Sequence, residues 1–167
     1  MTGAASVYVG LGANLDHPVF GSPRRTLMRA LAMLPTIGAR CVALSGWYRS
    51  APVPASDQPW YVNAVAEVAT GLGPEALLAG LHRVEDRLGR VRREPNAPRW
   101  VDLDLLAYGD EIRDGSVRLP HPRLDSRAFV LLPLADLAPG WSHPVTGETI
   151  ARLIARLPPG QDIERLA

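Results

Sequence analysis

The sequence predicts an α+β sandwich in which helices pack on a mainly antiparallel sheet, with additional elements at the C-terminal end. Strands and helices are expected in the order βαββαβ, which is the ferredoxin-like pattern. The chain has 167 residues, of which 47% are hydrophobic and 21% charged, as is usual for a globular protein. We therefore expect a single domain over residues 1–167.

Four segments carry the apolar or alternating pattern of strands, namely 7–11, 41–48, 61–70 and 100–108. A turn at Gly109 and a short hairpin that returns to Leu119 are expected to follow the fourth strand.

Helices are expected from Pro23, with Ser22 as candidate N-cap, and from Pro74 to a stop at Gly89. In both segments, leucines recur at helical spacing and proline suits the first turn. Two further helices are expected over 128–137 and 150–157, the first of them buried because it is almost entirely apolar.

The composition excludes several classes of protein. All 18 basic residues are arginine and 17 acidic residues nearly balance them, so the chain has neither the lysine of a P-loop nor that of a Schiff-base enzyme or a protein kinase. Cys41 is the single cysteine, which excludes a disulfide framework and a cysteine-ligated zinc site. The glycines Gly10 and Gly12 lack the third glycine of a dinucleotide-binding fingerprint.

Two carboxylates in the fourth strand are the strongest chemical signal. Asp102 and Asp104 alternate with apolar neighbours, so they point together to the face opposite the core. Two adjacent carboxylates repel each other, and a divalent cation relieves that repulsion. Oxygen ligands on a strand suit Mg²⁺, which completes its coordination with water and substrate phosphate. A solvated strand face is the alternative for an isolated Asp-x-Asp.

Arginines surround this pair in the sequence. Ten of the 18 lie between Arg83 and Arg127, and His121 lies in a stiff segment between two prolines. Surface ion pairs would explain part of this cluster. Carboxylates for a metal beside several guanidinium groups are nevertheless what a polyphosphate requires.

A second group of candidate residues could bind a flat heterocycle. Tyr61 and Asn63 share one face of the third strand. An aromatic ring beside an amide can stack on a heterocycle and bind its edge by hydrogen bonds. Phe129 follows Arg127 closely and is one of only two phenylalanines.

Several spaced motifs then resemble the 6-hydroxymethyl-7,8-dihydropterin pyrophosphokinase family of folate synthesis. The segment Pro98-Arg99-Trp100-Val101-Asp102-Leu103-Asp104-Leu105-Leu106 is similar to its signature. The other matching segments, in the same order as in the family, are Gly12-Ala13-Asn14-Leu15, Trp47-Tyr48-Arg49-Ser50-Ala51-Pro52, Asp57-Gln58-Pro59-Trp60-Tyr61-Val62-Asn63, Gly89-Arg90-Val91-Arg92 after Glu85, and Pro120-His121-Pro122-Arg123 through Arg127-Ala128-Phe129.

The resemblance implies a reaction in which the hydroxymethyl group of the dihydropterin attacks the β-phosphorus of ATP and AMP leaves. Asp102 and Asp104 would hold two Mg²⁺ ions, and Asp102 would also border the pterin. The implied catalytic residues are Arg90, Arg99, Asp102 and Asp104. The implied ATP-binding residues are Glu85, Arg90, Arg92, Arg99, His121 and Arg127. The implied pterin-binding residues are Ser50, Ala51, Val53, Tyr61, Asn63, Asp102 and Phe129.

One departure from the family pattern concerns the loop before the signature. Many relatives carry a tryptophan there, at the position that Asn96 occupies in this chain. The loop 90–98 is charged and proline-containing, and we expect it to be mobile until phosphate partners bind its arginines.

Two rival functions stay open from the sequence alone. A two-metal phosphohydrolase or nucleotidyltransferase would also use paired aspartates with arginines, and a non-catalytic ligand-binding module could share the fold. We expect a monomer whose partners are ATP and the dihydropterin, with no nucleic acid and no membrane. A cytoplasmic location is expected, because no long apolar segment or basic leader is apparent.

Overall fold

The computed structural model describes residues 4–91 and 95–167. Its centre is a six-stranded antiparallel sheet of β1 (Val7–Ala13), β2 (Ala39–Leu44), β3 (Tyr48–Ser50), β4 (Tyr61–Thr70), β5 (Asp102–Tyr108) and β8 (Ile163–Arg165). The strand order is β5-β1-β4-β3-β8, with β2 also paired to β4. A separate hairpin joins β6 (Arg113–Asp114) to β7 (Arg118–Leu119). With the helices below, β1, β2, β4 and β5 confirm the predicted ferredoxin-like order.

Two helices cover one face of the sheet, as predicted. These are α1 (Pro23–Met33) and α2 (Pro74–Arg87). Leu27, Leu77 and Leu81 are fully buried against Leu103 and other sheet residues of this core. Both helices begin at their proline, whose fixed φ suits the first turn. Ser22 stands at the N-cap position of α1, but its side chain makes no capping hydrogen bond.

The second face is covered by α3 (Ala128–Leu137) and α4 (Ile150–Ala155). Leu131 and Leu134 pack with Val65 and Leu106 in a second core, so the prediction of a buried helix over 128–137 is confirmed. The last helix ends at Ala155, earlier than the predicted residue 157. This second layer covers only part of the face and leaves the ends of β1, β4 and β5 accessible.

Three predicted elements differ in the structure. The segment 41–48 forms two strands because the chain leaves the ladder at Ser45, whose hydroxyl accepts a hydrogen bond from the N–H of Val65 (2.9 Å). The fourth strand starts at Asp102, because residues 99–101 pair with no strand and the carbonyl of Arg99 instead accepts from the N–H of Asn14 (3.0 Å). The strand β8 was not predicted, since its three residues are half-buried or exposed and carry two charges.

The strand register brings the candidate residues together. Gly12 on β1 pairs with Asp102 on one side and Asn63 on the other, and Gly10 pairs with Asp104. Asn63 pairs in turn with Tyr48 on β3. The aspartates and the amide therefore lie in neighbouring rows on the incompletely covered face of the sheet.

Candidate active site

Asp102 and Asp104 point away from the core, as the alternation of β5 predicts. Leu103 and Leu105 are buried on the α1–α2 side. Asp102 accepts hydrogen bonds from the guanidinium groups of Arg90 (2.8 Å) and Arg99 (3.1 Å). The structure thus places these two arginines beside the first aspartate.

Asp104 has a different environment. It makes no hydrogen bond to any side chain within residues 4–91 and 95–167. Burial and, next, the charge of Asp102 raise its pKa from 3.8 to about 7, while Arg127 opposes the rise. A carboxylate that is costly to ionise beside another carboxylate is stabilised by a bound cation.

Glu85 anchors Arg90 from within the core. Its side chain is 0% exposed and accepts hydrogen bonds from the N–H of Leu103 (2.9 Å) and from Arg90. Burial disfavours the charge of Arg90, but Asp102 and Glu85 outweigh it and raise the pKa of Arg90. Glu85 therefore fixes both a guanidinium and the start of the aspartate strand.

An apolar cavity of about 150 Å³ opens on one side of the aspartates. It contains every predicted pterin-binding residue, which are Ser50, Ala51, Val53, Tyr61, Asn63, Asp102 and Phe129. Asn63 is 3% exposed and its amide nitrogen donates to the hydroxyl of Ser50 (2.6 Å). Burial raises the pKa of Tyr61 although Arg99 opposes the rise, so this phenol is neutral near pH 7 and can stack and donate a hydrogen bond.

A second, basic cavity of about 650 Å³ lies on the other side. Among its lining residues are the predicted nucleotide residues Glu85, Arg90, Arg99, His121 and Arg127. The two cavities share five lining residues, namely Asn96, Arg99, Asp102, Asp104 and Arg127. Arg92 was also predicted to bind ATP and lies outside the described residues.

His121 is held as a neutral imidazole. Its Nδ1 accepts from the N–H of Arg123 (3.1 Å), which leaves the proton on Nε2. Burial and then the charge of Arg127 lower its pKa from 6.5 to about 4. Its backbone N–H donates to the carbonyl of Leu106 on β5 (2.8 Å), so the ring is fixed relative to the aspartate strand and can donate one hydrogen bond.

Several residues at the site were not among the predicted site residues, and Gly10, Gly12, Asn14 and Gln58 are four of them. Gly10 and Gly12 line the apolar cavity without filling it. Asn14 is 3% exposed; its amide donates to Gln58 (3.1 Å) and its oxygen accepts from the N–H of Arg99 (2.9 Å). Gln58 in turn donates to the carbonyl of Asn96 (2.6 Å). Their motifs were recognised, but the sequence alone does not show that they contact one another.

The carboxylates of Asp102 and Asp104 suit a metal ion whose other ligands are water and substrate oxygens. Within residues 4–91 and 95–167, no group of three or more histidine, cysteine or acidic side chains is arranged to hold a metal ion. Two carboxylates on a rigid strand, beside guanidinium groups, instead match a cation that also binds phosphate oxygens and water. The shared border of the two cavities can therefore hold a polyphosphate against a flat ligand.

The chain is similar to bacterial and fungal proteins over most of its length. It is 42% identical to the 2-amino-4-hydroxy-6-hydroxymethyldihydropteridine pyrophosphokinase of Pseudomonas aeruginosa over 161 residues, covering 96% of each chain. It is 39% identical to the folic acid synthesis protein fol1 of Pneumocystis carinii over 91% of this chain, which spans only 20% of that protein.

A solved structure of HPPK-DHPS in complex with substrates shares the fold, with a TM-score of 0.68 at 12% identity over 92% of this chain and 45% of that one. In the ranges that the structure describes, no helix has the length and apolar character needed to cross a membrane. The family model described as 7,8-dihydro-6-hydroxymethylpterin-pyrophosphokinase (HPPK) matches residues 8–139. The chain therefore belongs to the HPPK family.

Proposed function

We propose that this chain transfers the pyrophosphoryl group of ATP to the hydroxymethyl group of 6-hydroxymethyl-7,8-dihydropterin and releases AMP, a step of folate synthesis. The observation that carries the proposal is the meeting of an apolar and a basic cavity at Asp102 and Asp104. The names of the full-length bacterial relatives support it. We propose residues 1–167 as one pyrophosphokinase domain.

The apolar cavity is the proposed pterin site. Tyr61 and Phe129 supply aromatic surface for the ring. Because the amide nitrogen of Asn63 is used by Ser50, the amide oxygen is the group that can accept from the N–H donors of a pterin. Ser50, Ala51 and Val53 form another part of the cavity lining.

The basic cavity is the proposed nucleotide site. Arg99 and Arg127 line both cavities, so they are placed to bind the phosphate that reacts. Arg90 and His121 supply further donors, with Arg92 proposed from the family motif. Glu85 acts through Arg90 and the backbone of Leu103, which makes it a positioning residue for the nucleotide.

Asp102 and Asp104 are the proposed ligands of two Mg²⁺ ions. When bound, the metal would neutralise phosphate charge and polarise the phosphorus–oxygen bonds. The raised pKa of Asp104 and the proximity of Asp102 support the assignment. The guanidinium groups of Arg90 and Arg99, which donate hydrogen bonds to Asp102, would also reach a phosphate bound beside Asp102.

The chain's own contribution to the reaction is alignment and charge stabilisation. The pterin cavity would hold the hydroxymethyl oxygen toward the β-phosphorus, on the side away from the departing AMP oxygen. The new O–P bond would form as the bond between the β-phosphorus and the bridging oxygen breaks; that oxygen leaves with AMP, and the hydroxyl proton is released to water. Arg99, Arg127 and the Nε2–H of His121 would stabilise the shifting phosphate charge.

The decisive experiment measures AMP formed from MgATP with and without 6-hydroxymethyl-7,8-dihydropterin. We expect AMP and the pterin diphosphate in equal amounts, and only when both substrates are present. Release of phosphate that does not depend on the pterin would instead support a phosphohydrolase. Tight binding of both ligands without turnover would support a non-catalytic module.

A further inference from the structure

Arg123 is a lining residue of the basic cavity whose guanidinium has no structural task. Its backbone is fixed, because its N–H donates to His121 (3.1 Å) and its carbonyl accepts from the hydroxyl of Ser126 (3.2 Å). Over the described ranges, the side chain makes neither an ion pair nor a hydrogen bond. The fixed backbone therefore holds Arg123 at the wall of the cavity, and no described residue pairs with the positive charge of its side chain.

Two neighbouring ionisable groups, His121 and Arg127, are close enough to interact with Arg123. Its charge helps to lower the pKa of His121, after the larger effects of burial and of Arg127. It also helps to lower the pKa of Arg127, where burial is the largest cause and Asp104 opposes the shift. Other arginines of the same cavity are compensated: Arg90 and Arg99 by Asp102, and Arg118 by Asp114 at 3.4 Å. An uncompensated positive region thus adjoins Arg127, and an anion would relieve its repulsion.

The arrangement also indicates which part of a nucleotide belongs there. Arg127 borders both cavities, whereas Arg123 borders the basic one alone. Arg123 consequently lies beside the place where the reacting phosphate must sit, on its nucleotide side. Arg127 and His121 line the same cavity as Arg123, so the most negative end of ATP is best placed among these three side chains.

We propose that Arg123 binds the terminal phosphates of ATP, which are the part of the nucleotide that is transferred. The inference rests on the proposed function and adds a residue to it. Arg123 would contact the pyrophosphoryl group before transfer and the diphosphate of the pterin product after it. It would make no contact with AMP.

The test is calorimetric binding of two ligands to wild-type and variant chains. The first ligand is the Mg²⁺ complex of an ATP analogue with a methylene group between the α- and β-phosphorus atoms, and the second is AMP. A lost charge-assisted contact in Arg123→Ala is expected to raise the Kd of the analogue about tenfold or more, with the Kd of AMP unchanged. Arg123→Lys should restore part of the affinity because it keeps the charge.

Two control variants separate a contact from a general effect of charge. Arg118→Ala removes a positive charge from the same cavity, but one already paired with Asp114. Arg25→Ala removes an exposed positive charge from α1, outside both cavities. Both are expected to change the Kd of the analogue less than Arg123→Ala does. Thermal unfolding should show the same midpoint for Arg123→Ala and wild type.

Three results would overturn the inference while leaving the proposed function intact. They are an unchanged Kd for the analogue, an equal loss for AMP, and an equal loss in Arg118→Ala. A wild-type chain that binds neither nucleotide and forms no AMP would overturn the proposed function, and the inference with it.

Discussion

Gly12 pairs directly with Asp102 across β1 and β5, so the central strand places no side chain next to the proposed metal-binding carboxylate. On its other side Gly12 pairs with Asn63, the proposed pterin-binding amide. A Cβ at Gly12 would lie 3.2 Å from the Oδ1 of Asn63. The absence of a side chain at Gly12 thus keeps open the space between Asp102 and Asn63. This glycine has that role although its segment does not match a dinucleotide-binding fingerprint.

Gly12→Ala is therefore expected to weaken pterin binding. The added methyl group forces Asn63 to shift, and overpacking of this kind costs about 1–3 kcal/mol. Calorimetry with the pterin and with an ATP analogue should show a loss that falls mainly on the pterin. Gly71→Ala is the matched control, because a Cβ there would meet nothing within 4 Å. Equal pterin affinity in the two variants would refute the role of Gly12.

Replacing either aspartate should nearly abolish turnover. We expect Asp102→Asn and Asp104→Asn each to lower turnover by at least about a hundredfold, since metal stabilisation of a transferring phosphate amounts to several kcal/mol. Steady-state AMP formation measures the loss, and circular dichroism checks that the fold is retained. Near-normal activity with Mg²⁺ in either variant would show that the metal assignment is wrong.

Asp104 and His121 both have shifted pKa values, and they are expected to change the stability of the ligand-free protein with pH in opposite directions. Asp104 keeps its proton up to about pH 7 in the folded state and only to about its ordinary 3.8 when unfolded. It therefore lowers the free energy of unfolding as the pH rises between those values. His121 ionises at about 4 when folded and 6.5 when unfolded, so it raises the free energy of unfolding over that interval.

Denaturant unfolding of single variants from pH 4 to 7 separates these contributions. Asp104→Asn should show a steeper gain in stability with rising pH than wild type, because the opposing contribution of Asp104 is removed while that of His121 remains. His121→Gln should show a smaller gain or a net loss. A pH profile that neither substitution alters would contradict both pKa shifts.

The local placement of side chains at the candidate site was predictable, whereas the contacts between distant segments were not. Alternation in β5 is a property of neighbouring residues, and it placed Asp102 and Asp104 on one face correctly. Likewise Tyr61 and Asn63 both line the apolar cavity. The link from Asn14 through Gln58 to Asn96 joins three distant segments, and no periodicity encodes which loops meet.

The break between β2 and β3 and the unpredicted strand β8 have the same physical cause, which is contact between residues far apart in the chain. The break between β2 and β3 depends on Ser45 bonding to Val65, twenty residues away on β4, so the apolar character of 41–48 could not reveal it. β8 is held by pairing of Ile163 with Ser50 and of Arg165 with Tyr48. Its own side chains are too exposed to give a strand signal.

Tyr61→Ala should weaken pterin binding much more than ATP binding. Loss of a stacked aromatic ring costs on the order of 1–3 kcal/mol, by analogy with bases stacked on aromatic side chains. Tyr61 lines the apolar cavity and is not among the residues that line the basic one. Separate calorimetric titrations decide the matter, and equal losses for both ligands would mean that Tyr61 supports the fold instead.

Gln58 links the loop beside the proposed pterin site to residue 96. Its amide nitrogen donates to the carbonyl of Asn96 (2.6 Å), and its amide oxygen accepts from Asn14 (3.1 Å). Asn96 adopts a φ of 61°, a conformation that asparagine tolerates better than most residues. A hydrogen bond to the backbone thus connects two loops at this position.

Gln58→Glu is a selective test of that link. The carboxylate can still accept from Asn14 but cannot donate to Asn96, and its charge faces a carbonyl oxygen. We expect faster amide exchange at Asn96 and Ala97 in the ligand-free variant and a higher KM for the pterin, because both loops line its proposed cavity. Gln58→Ala removes both bonds and should in addition raise exchange at Leu15, whose N–H donates to the carbonyl of Arg99 beside Asn14. If the amides of Asn96 and Ala97 exchange in Gln58→Glu as they do in wild type, the hydrogen bond to Asn96 does not restrain the loop.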